Sequence, residues 1–149
     1  MLDKGILRVI DANFNRAKEG LRVVEDIFRF ILEDNTLRKK TRGLRHGLDA
    51  LTQENLLKKS ILSRDSKSDI GKDTDELETK RDNATNLLYI NLQRVKESLR
   101  VLEEFFKIII PKKVTKIKNI RYETYSLEKK VLKKWPPLRN PRHKSNRAK

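Results

Sequence analysis

A chain of 149 residues without Cys and with two His has room for one covered core, and lacks the ligands for a disulfide framework or a thiolate zinc site. Apolar content of 36%, charged content of 38%, five Gly and four Pro favour helices over sheet. No run approaches the roughly 18 apolar residues of a membrane span, and no signal-peptide pattern opens the chain, so a soluble cytoplasmic protein without a membrane partner is expected.

The formal charge of +15 is concentrated at one end. Residues 112–149 hold 14 Lys and Arg against two acids, a local +12 that leaves +3 for residues 1–111. That end has no aromatic interleaving and no nucleic-acid motif, so it is read first as a solubility feature, with a basic helical nucleic-acid binder as the competing reading.

In chain order, helical spacing of apolar residues runs from Leu2 to about Glu33, and Asp34-Asn35-Thr36 supplies a stop and a new cap. A second helix covers about Leu37 to Leu51, with an extension through Leu57, and carries Leu37, Leu44, Leu48 and Leu51 on one side. His46 in this helix reads as a packing residue. Residues 61–82 form an acidic segment with Gly71, expected to be an ordered or ligand-ordered loop. Asn83 or Thr85 caps a third long helix that Pro111 ends, and Thr115 to Lys134 is helical until Trp135-Pro136-Pro137. The expected domain is 1–135, with half one at 1–60, the loop at 61–82 and half two at 83–135, followed by a basic flexible tail at 136–149.

The two halves repeat. Asn13 to Arg29 (NFNRAKEGLRVVEDIFR) aligns with Asn91 to Lys107 (NLQRVKESLRVLEEFFK) at an offset of 78, with nine of seventeen positions identical. The identities include Asn13/Asn91, Arg16/Arg94, Lys18/Lys96, Glu19/Glu97, Arg22/Arg100 and Glu25/Glu103. The fold class implied is all-α: a four-helix bundle of two helical hairpins related by pseudo-twofold internal duplication. Packing alone preserves apolar spacing and tolerates many polar choices, so matched polar residues ask for another cause.

On a helical wheel the stripe Phe14, Ala17, Leu21, Val24 and Phe28 faces the core. Beside it lies a sector about 80° wide holding Asn13, Arg16, Gly20, Val23 and Ile27, mirrored by Asn91, Arg94, Ser98, Val101 and Phe105. Arg and Asn next to small residues suggest a phosphate-binding pocket between helices, because guanidinium matches phosphate geometry and an amide both donates and accepts. Glu19 and Glu97 are placed to hold Mg²⁺ or to orient the arginines. Arg22 and Glu25, with Arg100 and Glu103, fit solvated ion pairs or a partner surface. In the loop, Arg64-Asp65 and Asp69-Ile70-Gly71 suit a hard cation and close backbone approach to phosphate.

The run DANFNRAKEGLRVVEDIFRF, then LRHGL, SRDSKSDIG, Arg81 and NLQRVKESLRVLEEFFK, resembles the all-helical domain found ahead of thiamine phosphate synthase and also found alone. The likeness covers about Ile6 to Lys107. It implies a stand-alone, ATP-dependent hydroxymethylpyrimidine phosphate kinase of thiamine biosynthesis that makes the diphosphate, with ATP and Mg²⁺ as cofactors. The site expected on that basis places Arg16, Arg94, Glu19 and Glu97 in catalysis. Asn13, Asn91, Arg45, Arg64, Arg81 and Gly71 bind substrate phosphate, and Asp65 and Asp69 bind the metal. The implied ligands are a small-molecule substrate and a nucleotide, and the implied protein partners are a second copy or thiamine phosphate synthase. The alternative expectation is a non-catalytic pyrimidine-phosphate-binding partner domain of that synthase.

Overall fold

The computed structural model describes residues 2–52, 54–73 and 83–136. Regular structure among them is all helical, with no strand. The elements are α1 (Lys4–Asp26), a π-helical turn (Ile27–Ile31), α2 (Asn35–Asp49), α3 (Glu54–Ser63), α4 (Ala84–Ile109), a 3₁₀ turn (Pro111–Lys113) and α5 (Val114–Lys134). Among the described residues no helix is long and apolar enough to cross a membrane.

Helix α1 starts at Asp3, whose carboxylate accepts the Ile6 N–H at 3.1 Å. Its apolar stripe, Leu7, Ile10, Phe14, Ala17, Leu21 and Val24, is buried and continues into Phe28. The helix then widens: Leu32 N–H donates to the Ile27 carbonyl at 2.9 Å, Asp34 N–H to the Phe28 carbonyl at 2.8 Å, and Glu33 takes φ 50. Asp34 follows immediately as the cap of α2, accepting from Leu37 N–H at 3.1 Å.

Helix α2 is shorter than its apolar spacing suggests. It stops at Asp49, Leu51 buries its side chain from a turn, and the chain re-enters a separate helix, α3, that packs on α1. Helix α3 also continues to Ser63, so the first three residues of the expected acidic loop are helical. His46, expected to pack inside, is exposed. Asn83 caps α4 by accepting the Asn86 N–H at 2.9 Å, and Pro111 opens the turn that leads into α5.

Helix α1 packs on α4, α2 and α3; α4 packs on α5, and α5 on α2. Side chains at the helix ends fix the directions. Lys113 Nζ donates to the Leu51 carbonyl at 2.8 Å, joining the start of α5 to the end of α2. At the other end Trp135 Nε1 donates to Asp34 at 3.3 Å, and Tyr89 OH donates to the Trp135 carbonyl at 3.1 Å. Helix α2 thus runs antiparallel to α5, and α1 antiparallel to α4.

Asp34 ties α2, α5 and the end of α1 together, and Lys134 adds an ion pair. Burial opposes the charge, but the Lys134 ammonium, Leu37 N–H and Trp135 Nε1 outweigh it and hold the carboxyl below its ordinary 3.8. A carboxyl depressed in the folded state contributes stability above its unfolded pKa and loses it as pH falls through the folded value. Asp34→Asn keeps the capping oxygen and removes the charge. It is expected to cost about 1 kcal/mol at pH 7, narrowing toward zero as the pH drops below the carboxylate range. Urea unfolding of both proteins at pH 7 and pH 3 measures this.

A cleft between the repeated helices

Helices α1 and α4 come close together at Gly20. A Cβ there would stand 2.8 Å from Val95 Cγ2 and 3.4 Å from the Asn91 carbonyl oxygen. Val95 is β-branched and fully buried, so it has little room to turn aside. Gly20 on one helix and Ser98 on the other leave space beside this crossing for a cavity of about 680 Å³.

Both copies of the repeat line it: Asn13, Arg16, Glu19, Gly20 and Val23 from α1, and Asn91, Arg94, Glu97, Ser98 and Val101 from α4. Asn13 and Asn91 are buried and held alike, each donating through Nδ2 to the carbonyl four residues back at 2.9 Å. That bond leaves each amide oxygen as an acceptor. Asn13 Oδ1 takes a long contact of 3.4 Å from Arg16 Nη1. Ser98 Oγ donates to the Arg94 carbonyl at 2.8 Å. Arg16 and Arg94 are exposed, and among the described residues neither forms an ion pair with Glu19, Glu97 or any other acid. Glu97 accepts from Gln93 at 3.1 Å. The cleft therefore presents two guanidinium groups not committed to carboxylates, an arrangement suited to an anion with several oxygens.

The other repeated polar residues serve the hairpins. Lys18 reaches Asp49 on α2 at 2.6 Å, and Lys96 reaches Glu128 on α5 at 2.8 Å. Glu25 accepts from Arg45 Nε at 2.9 Å, and Glu103 from Arg121 Nε at 3.0 Å. Both carboxylates are buried. Arg22 and Arg100 are exposed and make surface contacts to Asp26 at 3.5 Å and Glu104 at 3.2 Å. Arg45 does not reach the cleft, because its guanidinium is engaged by Glu25.

The loop residues do not line this cavity; Arg64, Asp65 and Asp69 lie on the flank of α1 beside Asn13 and Arg16. Arg64 donates through Nε and Nη2 to the two oxygens of Asp11, at 2.7 Å each. Asp65 accepts the Ser68 N–H at 3.1 Å and Asp69 the Gly71 N–H at 2.8 Å, so each shapes its own turn. Gly71 is exposed. No group of three or more His, Cys, Asp or Glu is gathered as a metal-ligand set among the described residues. Arg81 lies outside the described residues. Asp11 escaped the sequence reading: only its burial and its fork with Arg64, 53 residues away, mark it.

The profile of the ThiD2 family matches residues 8–130. Among curated relatives, the thiamine-phosphate synthase of Synechocystis sp. is 41% identical over 128 residues, 85% of this chain and 36% of that protein. The thiamine-phosphate synthase of Nostoc sp. is 38% identical over 128 residues, 85% of this chain and 35% of that protein. The thiamine-phosphate synthase of Rhodopirellula baltica is 34% identical over 122 residues, 81% and 32% respectively. The chain spans about a third of the length of the curated relatives it matches. No solved structure matches it.

These relatives correct the expected activity. They are named as synthases and none of the three as a kinase, so the ATP-dependent phosphotransferase and the kinase, transferase and ATP-binding descriptions that go with it are withdrawn. The all-helical architecture stands among the described residues. On a match spanning most of its described helices, this chain belongs to the ThiD2 family.

Proposed function

We propose that the chain is a binding domain for a phosphorylated pyrimidine of thiamine biosynthesis. It holds the ligand for a thiamine phosphate synthase and transfers no phosphoryl group itself. The observation that carries the reading is the cleft, where Arg16 and Arg94 face one cavity from matched positions with no acid of the described residues paired to either. Phosphate would bridge the two guanidinium groups, with the amide oxygens of Asn13 and Asn91 accepting from the ligand's hydroxyl or amino groups. Glu19 and Glu97 on the same walls would limit the positive field, favouring one phosphate over a polyanion. The proposal includes the origin of that symmetry: two duplicated hairpins form a pseudo-twofold four-helix bundle whose axis passes between α1 and α4. The relatives that share this stretch are named thiamine-phosphate synthase, which supports a ligand from that context.

Titration calorimetry with 4-amino-5-hydroxymethyl-2-methylpyrimidine phosphate is expected to give saturable 1:1 binding without ATP. A coupled assay with ATP added is expected to show no ligand-dependent ADP. Absence of binding overturns the assignment of the cleft, and ligand-dependent ADP release overturns the non-catalytic role.

A further inference from the structure

The cleft is lined by matched positions, but its surroundings are not matched. On the α1 side the chain returns after α3, and Arg64 clasps Asp11 with two bonds of 2.7 Å. The carboxylate is 8% exposed and the guanidinium 44%, so the loop is anchored into the flank of α1. The residue of α4 that matches Asp11 is Tyr89, and its hydroxyl turns to the Trp135 carbonyl instead. The clasp holds Asp65, Ser66 and Asp69 beside α1, where they border a second, open cavity of about 490 Å³. That cavity shares Asn13 and Arg16 with the first, so the two spaces meet at the same pair of side chains.

The second cavity has a different chemistry. Its small or apolar wall comes from Gly5, Val9 and Ala12, with Asn15 and Ser66 as hydrogen-bonding groups and Arg8 as a cation at its edge, besides the shared Arg16. Arg64 is already used by Asp11, and the carboxylates of Asp65 and Asp69 offset the charge of Arg8, so the compartment carries no net excess of positive charge for a second anion. Such a lining suits a flat, uncharged ring that carries amino or hydroxyl groups.

We infer that the ligand lies in one direction across the pseudo-symmetric cleft: its phosphate between Arg16 and Arg94, its ring beyond Asn13 in the compartment bordered by the Arg64–Asp11 clasp. This rests on the phosphate-binding reading of the cleft. Arg64 is then a positioning residue that shapes the ring compartment, and not a phosphate ligand.

The test compares inorganic phosphate with the pyrimidine phosphate by calorimetry, on the wild type and on Arg64→Gln and Asp11→Asn, which open the clasp from either side. In the wild type the ring should give the ester an advantage of about tenfold over phosphate. Both variants should reduce that advantage to about twofold or less, with a thermal midpoint showing that each is folded. If either folded variant keeps the full advantage, the ring does not lie in this compartment and the inference falls. If the wild type binds neither compound, the reading of the cleft itself fails.

Discussion

Glu103→Ala is expected to cost about 3–5 kcal/mol, among the largest losses available from a single side chain outside the apolar core. Glu103 is 2% exposed, and its Oε2 accepts from Arg121 at 3.0 Å and from Arg100 at 3.3 Å. Its other oxygen is buried without a hydrogen-bond partner, so the pair is not an optimal one and is not a source of net stability by itself. The loss arises from what the substitution leaves behind. Burial disfavours the charged form of Arg121, and Glu103 with the Tyr125 hydroxyl overcomes this and holds its pKa above the ordinary value. Without Glu103, the guanidinium keeps the Tyr125 hydroxyl at 2.9 Å and the faces of Tyr122 and Tyr125, but no carboxylate within the core. Arg100→Ala removes only the exposed partner and should cost under about 1 kcal/mol. Urea unfolding followed by circular dichroism checks both. A loss under about 1 kcal/mol for Glu103→Ala would mean that water reaches Arg121 and that this pair behaves as a surface one.

The same residue shows where a sequence stops being readable. Read from one helix, Glu25 and Glu103 fit solvated ion pairs, yet both are buried, because a single-helix wheel cannot show what arrives from another helix. Arg45 and Arg121 supply the missing partners, from 20 and 18 residues away. Arg45 was therefore legible as a residue of interest and illegible as a hairpin clamp. The break between α2 and α3 was hidden for a related reason. Ala50-Leu51-Thr52 contains no Gly or Pro, and Leu51 keeps the apolar spacing while leaving the helix.

Helix caps and stops were legible because they are local: Asp34 and Asn83 accept from N–H groups three residues on, and Pro111 cannot continue α4. The grouping of Asn13, Arg16 and Glu19 with Asn91, Arg94 and Glu97 was legible through the repeat. Residues on one helical face recur every three or four positions, and an antiparallel pair of like helices brings those faces together. The Arg64–Asp11 clasp had no such trace, since the residue matching Asp11 in the second half is Tyr89 and not an acid, and the contact spans the whole of α2 and α3.

The central claim is that the cleft between α1 and α4 binds phosphate through two matched arginines, and the double variant Arg16→Ala/Arg94→Ala addresses it most directly. Each charged hydrogen-bonding partner contributes about 1.5–3 kcal/mol, so removing both should weaken the pyrimidine phosphate by at least about a hundredfold. Both side chains are exposed, and neither is ion-paired among the described residues, so the fold has little to lose. The measurement is a calorimetric titration of this variant beside the wild type, with thermal unfolding recorded on the same samples. The result predicted is lost binding with a melting temperature within a few degrees of wild type. Affinity within about threefold of wild type, in a folded variant, would contradict the account.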